Sequence, residues 1–409
     1  MSHSTPATAA TAGPGITLPK HLIFFIGALV AIGPLSLDAY LPAMPAMAEA
    51  FGVSIVAINN TISIYLVGYG VGQFFGGAFS DQIGRKRIGL IGLGIFTLAS
   101  IAIAFAHNVE QVQGLRFVQA IGGGFSTVIC MAIVRDVYPV AEIGKRMAMV
   151  TLIMLASPLV APTIGAFLLN YGWPSIFLFK ATYSGALLIY YLVAIPETRP
   201  GRWQNLSIAT TLRQCGQVLT LKLDNGQRPI LYALTMALGA SAFMTFLTNS
   251  SFVYIQYFGV SDTSFPLYFG VSIIGMVALN LYSMKTLTES KAASYFQSGL
   301  RLQLSGVVFL MFLVLLGPWS IWFVVAAIGM VVAAFGLTGP AGSAEYMRNF
   351  DTLAGSAASL YTTILFAMGA IAGSVSGAFF DGTLLPMATV MIVASTAANL
   401  LALRLRARR

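Results

Sequence analysis

Three charged side chains stand inside segments that are otherwise apolar. Asp38 follows FFIGALVAIGPLSL, Arg116 lies near the start of another apolar run, and Lys180 interrupts IFLFKATYSG. A charge in such surroundings is costly unless it is neutralised, paired or in contact with water. A carboxylate there can take up and release a proton, and a basic side chain can pair with it. The three residues are therefore candidates for a proton-binding or ion-binding site.

The composition predicts the environment of these residues. Of 409 residues, 57% are hydrophobic and 9% are charged, and the mean hydropathy is +0.83. An ordinary soluble domain is about one quarter charged, and a membrane helix needs roughly 20 mostly apolar residues. The apolar runs are long and do not alternate, which excludes barrel strands. The sequence therefore predicts an integral membrane protein built from helices.

Windows of about 20 residues predict twelve spans. They are 22–47, 57–79, 87–106, 112–135, 146–170, 173–195, 229–256, 264–284, 300–317, 320–342, 354–380 and 383–403. Ala46 and Ala48 before Glu49 also resemble a signal-peptidase site. Two halves of six spans each require the first helix, however, so we expect that it is not cleaved off.

The predicted fold is an all-α membrane protein with twelve transmembrane helices in two six-helix halves. The units are a disordered tail over 1–19, a first half over 20–196, a linker over 197–228, a second half over 229–405 and a basic tail over 406–409. Paired halves are typical of transporters, whose central cavity opens alternately to each side.

The basic residues predict the orientation. Of the 22 Lys and Arg residues, all except Arg116 and Lys180 fall on one side of the predicted spans. The loops on the other side carry acidic residues such as Glu49 and Asp262 and no Lys or Arg. The positive-inside rule therefore predicts that both termini are cytoplasmic. The basic residues that produce the net charge of +9 therefore serve to orient the protein in the membrane, and we predict no nucleic-acid partner.

Asp38 and Arg116 are predicted to lie at a similar depth in the membrane, counted from the ends of their spans. Asp38 lies about 16 residues, or roughly 24 Å, from the cytoplasmic start of the first span. Arg116 lies about 6 Å below the outer surface in the fourth span. We expect Asp38, with Tyr40 beside it, to bind a proton or cation, with Arg116 as a companion that Gln119 holds in place. The alternatives are a structural ion pair or a hydrogen-bonded cap beside Pro42 for Asp38, and for Arg116 a side chain that extends to the interface.

Other residues are candidates for a cavity between the halves. Lys180 either lines such a cavity or extends to the outer surface, about 10 Å away. Polar, aromatic and methionine side chains would line it for a partly apolar ligand, although most such side chains face lipid or core. The candidates are Asn59, Tyr65, Phe243, Phe246, Tyr254 and Met368.

Two segments are candidates for gating. GGAFSDQIGRKR combines close-packing glycines with Asp81 and a basic run, and SPLVAPTIGAF carries two prolines that remove backbone donors. The gating candidates are Gly77, Asp81, Gly84, Arg85, Lys86, Arg135, Asp136, Pro158, Pro162 and Gly165. For each proline, simple packing is the alternative.

Several classes of chemistry lack a sequence signature. Cys130 and Cys215 form no CxxC pair, and three histidines supply no zinc set. We find no Walker loop, GxSxG or HExxH motif, so we predict no enzyme and no ATP-driven transport by this chain.

The gating segments carry a resemblance to a known family. Gly77 to Arg87 resembles the signature loop of the major facilitator superfamily, LRFVQAIG its fourth-span motif and APTIG its antiporter motif. LDAYLPAMP and VRDVY are similar to the Bcr/CflA branch of drug exporters.

This resemblance implies a proton-coupled antiporter in a bacterial inner membrane, with the proton as coupling ion and no other cofactor. It implies Asp38 as the protonation and substrate residue, Arg116 as its regulator, and Asp81 with Arg85 in a cytoplasmic gate. The expected partners are a small-molecule substrate, protons and membrane lipid, and we expect a monomer. Gln82, Ala120, Pro174 and Lys180 depart from the family pattern.

The residues alone leave other functions open. A proton symporter for a metabolite would show accumulation rather than loss of a test compound, and an exporter of an amino acid or siderophore would differ only in cargo. A transceptor without flux is the third class.

Overall fold

We analysed a computed structural model, which describes residues 21–198, 208–223, 226–317, 320–350 and 353–406. In these ranges every regular element is helical. The first half contains α1 Leu22–Asp38, a 3-10 turn Leu41–Ala43, α2 Met44–Phe51, α3 Ile55–Ile83, α4 Arg85–Ala104, α5 Val109–Val137, α6 Val140–Leu169 and α7 Pro174–Ala194. Then follow α8 Ile208–Thr220, α9 Ile230–Ser251, a π-helical segment Phe252–Tyr257, α10 Phe265–Thr286, α11 Glu289–Leu316, α12 Ile321–Met347, α13 Ala354–Ala378 and α14 Leu385–Arg406.

The described residues contain 12 helices that are long and apolar enough to cross a membrane, as the sequence predicts. Two details were not predicted. The ninth spanning helix, α11, begins at Glu289 rather than near residue 300, because its first three turns are polar and escape a hydropathy window. The linker contains the helix α8, whose buried residues are Thr211, Cys215 and Val218. The predicted tail over 1–19 lies outside the described residues.

The first span is broken close to Asp38. α1 ends at Asp38, a 3-10 turn follows, and α2 begins at Met44. Pro42 has no N–H to donate to the carbonyl of Asp38, which prevents the α-helix from continuing. The chain resumes in the same direction, so one span carries an interruption in its second half.

Small residues hold α3 and α5 in close contact. A Cβ at Gly72 would lie 2.5 Å from the Ile121 carbonyl oxygen, and one at Gly124 would lie 2.7 Å from the Gln73 nitrogen. Glycine is the residue that allows two helix backbones to approach in this way. This contact sets Tyr65 of α3 beside Arg116 of α5.

Among the described residues, the hydrophobic cluster that joins the two halves lies toward one end of the protein. We call the end that carries Arg85 and Arg146 the basic end. At the opposite end, one hydrophobic cluster includes residues of both halves, among them Tyr40, Met244 and Phe269. At the basic end, each half has a separate cluster. The halves are therefore closed together away from the basic end, while α3 and α13 stay in contact along their length.

Gly165 of α6 packs directly on the break in the first span. A Cβ at this position would overlap the Ala39 carbonyl oxygen and lie 2.8 Å from its carbon. α6 runs unbroken through Pro158 and Pro162, so this contact rests on an intact helix.

We expect Gly165→Val to destabilise the protein by about 1–3 kcal/mol, because it forces α6 away from Ala39. The measurement is thermal unfolding of the purified protein in detergent. Gly94→Ala is the control, because no atom lies within 4 Å of a Cβ at Gly94. Equal melting temperatures for the two variants would show that the α6 contact is not tight.

Candidate functional site

Arg116 is the centre of a buried polar cluster at the break. Its side chain is completely buried, and Nη1 donates to the Ser36 carbonyl oxygen at 3.2 Å, the Ser36 Oγ at 3.1 Å and the Gln119 Oε1 at 2.8 Å. Gln119 Nε2 in turn donates to Ser100 Oγ at 2.7 Å. Gln119 therefore fixes the guanidinium against α1, two residues before Asp38.

Two tyrosine rings flank this guanidinium. Its central carbon lies 4.3 Å from the Tyr65 ring centre and 4.9 Å from that of Tyr40. The Tyr40 hydroxyl donates to Thr61 Oγ1 at 3.0 Å, because Thr61 itself donates to the Ile58 carbonyl. Cation–π contacts of this kind stabilise a desolvated arginine.

Lys180 reaches the same carbonyl from α7. Its Nζ donates to the Ser36 oxygen at 2.9 Å and lies 4.6 Å from the Phe177 ring centre. The side chain is 1% exposed, so it does not extend to the surface. Two cations therefore share one backbone oxygen, which has no N–H donor from the next turn because α1 ends there.

Asp38 lies at this site without a direct partner. Within the described residues it makes no hydrogen bond or ion pair, and its side chain is 4% exposed. The predicted pairing of Asp38 with Arg116 is therefore not present in this conformation. An unpaired carboxylate at a helix break can bind a proton or the donor group of a ligand.

Several buried polar atoms of α3 and α5 have no hydrogen-bond partner among the described residues. They are Arg116 Nε and Nη2, the Tyr65 hydroxyl, both side-chain atoms of Asn59, and Ser63 Oγ. Such groups are rare in a protein interior and each needs an explanation. Here they are donors and acceptors that a ligand or water can satisfy.

The structure separates the aromatic candidates. Phe246 and Tyr254 pack with Phe269 inside the second half, and the Tyr254 hydroxyl contacts Ser272 Oγ at 2.6 Å. Both side chains are buried in the hydrophobic cluster that the two halves share, and their role in lining a cavity stays a prediction. Phe243 packs against Phe335 of α12.

The remaining candidates lie nearer the junction of the halves. Met368 is half-buried against the core that the two halves share. Tyr69, which sequence reasoning missed, stacks on Tyr65 and contacts Phe366 of α13 with ring centres 4.9 Å apart.

A second cluster lies at the basic end around Arg85. Its guanidinium contacts Asp81 at 2.7 Å, Asp136 at 3.1 Å and Ser80 Oγ at 2.6 Å, and the residue is 6% exposed. Arg135 is exposed and has no place in this cluster. The three charges connect α3, α4 and α5.

Glu197, which follows the end of α7, belongs to the same cluster. Its carboxylate accepts from the backbone N–H groups of Arg85 at 2.9 Å and Lys86 at 3.1 Å. It therefore caps the start of α4. Gly84 has φ +102 and a Cβ there would overlap the Glu197 carboxylate, so only glycine fits.

This cluster also meets the second half. Asp81 Oδ2 lies 4.0 Å from the position of a Cβ at Gly355, in the first turn of α13, and Ser359 Oγ lies 3.0 Å from one at Gly77. A carboxylate is favourable at a helix N-terminus. No group of three or more His, Cys, Asp or Glu in the described part of the chain is arranged to hold a metal.

Comparison with known proteins identifies the class. The family model of the Major Facilitator Superfamily matches residues 24–374. A bicyclomycin resistance protein homolog of Haemophilus influenzae is 29% identical over 378 residues, covering 90% of this chain and 92% of that protein. A chloramphenicol resistance protein of Pseudomonas aeruginosa is 30% identical over 349 residues, covering 81% and 77%.

Solved structures agree on the fold. A POT family transporter in complex with a thioalcohol-conjugated peptide has a TM-score of 0.73 at 14% identity, covering 94% of this chain and 95% of that one. The human organic anion transporter MFSD10 has a TM-score of 0.66 at 16% identity, covering 95% and 99%.

The described residues form twelve helices able to span a membrane, with a buried charged site in the first half, and the chain is thus a multi-pass membrane protein of the transporter class. The chain belongs to the Major Facilitator Superfamily, and its relatives confirm the resemblance to the Bcr/CflA branch.

We expect Gln119→Leu to lower ligand binding and thermal stability, because it leaves both Arg116 Nη1 and Ser100 with one fewer partner. The expected loss of stability is about 1–3 kcal/mol. Gln113→Leu is the matched control on the same helix, since Gln113 donates only to the Ala57 carbonyl near the surface. If both variants behave alike, Gln119 does not position Arg116.

Proposed function

We propose that this protein is a proton-coupled antiporter that exports drugs or other small amphipathic compounds across a bacterial inner membrane by alternating access. The observation that carries the proposal is Asp38, a buried carboxylate without a hydrogen bond or ion pair among the described residues, at a helix break beside Lys180 and Arg116. The names of the relatives, which refer to resistance to bicyclomycin and chloramphenicol, support drug export.

Competition at Asp38 couples the two fluxes. Cargo from the cytoplasm binds when Asp38 is ionised, and the loaded site turns outward. Asp38 then takes a proton as the cargo leaves, and the neutral carboxyl returns inward. Neutralisation matters because each elementary charge moved through 100 mV costs about 2.3 kcal/mol.

The present conformation corresponds to the state closed to the outside. The bias of basic residues supports a cytoplasmic location for the basic end and for both termini. The shared hydrophobic cluster then forms the outer closure, and the separate clusters of the two halves flank the inner opening.

The inner gate in this proposal is the Arg85 cluster. When the halves close at the cytoplasmic end, Asp81 and its neighbours on α3 approach the start of α13 more closely. Arg85 stays bound to Asp81 and Asp136, which keeps α3, α4 and α5 moving as one body. The contact of Asp81 with the N-terminus of α13 then changes with each cycle.

Asp38→Asn should abolish proton-driven export, because the side-chain amide of asparagine neither gains nor loses a proton near neutral pH. The measurement is uptake of chloramphenicol by everted vesicles with an imposed proton gradient. Glu49→Gln is the matched control, since Glu49 is exposed on α2 in the same span.

Normal uptake by Asp38→Asn would contradict the assignment of the coupling residue. Gradient-driven release rather than uptake in wild-type everted vesicles would indicate a symporter that imports its substrate.

A further inference from the structure

Lys180 adds a second positive charge to the site, and the proposed antiport does not require this charge. Asp38, Arg116 and Lys180 are its charged residues, and Tyr40 and Tyr65 are its other titratable side chains. With all three ionised, one positive charge is in excess.

The hydrogen bonds hold this excess in place. Lys180 Nζ lies 2.9 Å from the Ser36 carbonyl oxygen and Arg116 Nη1 lies 3.2 Å from the same atom. A single neutral oxygen does not neutralise two cations, and both are almost fully buried. With Arg116 and Lys180 both protonated, the site therefore has an excess of positive charge beside Asp38.

Arg116 also has unused donor capacity. Its Nε and Nη2 are buried and have no partner among the described residues. Guanidinium N–H groups bind oxygen acceptors such as carbonyl, nitro or carboxylate groups. The two Arg116 donors and the positive charge of Lys180 thus both favour an oxygen acceptor of a ligand.

We propose that Arg116 and Lys180 form a subsite for an oxygen acceptor of an uncharged cargo, and that Lys180 excludes lipophilic cations. A donor group of the same cargo binds ionised Asp38, which preserves its competition with the proton. A cation at this position meets two like charges and one carboxylate, and like-charge contacts are strongly unfavourable in a buried site. The subsite deepens the proposed function and rests on it for the direction of transport only.

The test is equilibrium binding to the purified full-length protein in detergent, without a proton gradient. The probes are radiolabelled chloramphenicol, which is uncharged and carries nitro and amide oxygens, and tetraphenylphosphonium, a lipophilic cation. We expect the wild type to bind chloramphenicol at least about tenfold more tightly than the cation.

Lys180→Gln removes the charge but can still donate to the Ser36 carbonyl. We expect it to shift the ratio of the two affinities about tenfold toward the cation, a change of about 1.4 kcal/mol. Lys180→Arg keeps the charge and should keep the exclusion. Lys222→Met, at an exposed position in the linker, is the control for loss of a surface lysine.

Comparable affinity of the wild type for both probes, or an unchanged ratio in a monodisperse Lys180→Gln protein, would overturn the proposal. The wild-type ratio decides the question even if the variants do not fold. Selective binding without any proton exchange would reject the antiport and leave the subsite standing. Proton-coupled transport that prefers the cation would reject the subsite alone.

Discussion

The Ser36 carbonyl oxygen is the point on which the site depends. α1 ends at Asp38, which leaves this oxygen without a donor from the next turn, and Arg116 of α5 and Lys180 of α7 both donate to it. One break thus joins three spanning helices of the first half. It also explains why two cations can be buried beside a carboxylate that neither of them contacts directly within the described residues.

The same break links the site to the closure between the halves. Tyr40 and Met44 follow it directly and belong to the hydrophobic cluster that the two halves share. Ala39, at the break itself, bears the contact with Gly165 of α6. A change in the geometry of the break therefore moves residues of the outer closure and a packed helix together. This is a physical route by which occupancy of the site can bias the two arrangements of the halves.

The sequence predicts the parts that rest on composition and depth. Hydropathy predicted the spans, because a membrane imposes length and apolarity on every helix. The basic loops predicted the orientation. Asp38, Arg116 and Lys180 were found because charge inside such a helix is exceptional. Their common contact with Ser36 was not predicted, since a backbone carbonyl has no signature in the sequence.

Other features depended on tertiary contacts that a single segment does not encode. The cap that Glu197 places on α4 joins residues more than 100 positions apart. Phe246 and Tyr254 were cavity candidates by residue type, and the packing of Phe246 against Tyr254 and Phe269 depends on contacts between separate segments. The polar start of α11 lies beyond the apolar window and needed the structure to be seen.

In the proposed transport cycle, cargo and proton compete for Asp38 at this break. The direct test is proton release when chloramphenicol binds to the purified protein in weakly buffered solution, with binding measured in the same sample. We predict that the wild type releases protons as cargo binds, at a pH at which Asp38 is partly protonated. Asp38→Asn should bind cargo without this release. Binding to the wild type with no release at any pH, or equal release from Asp38→Asn, would contradict it.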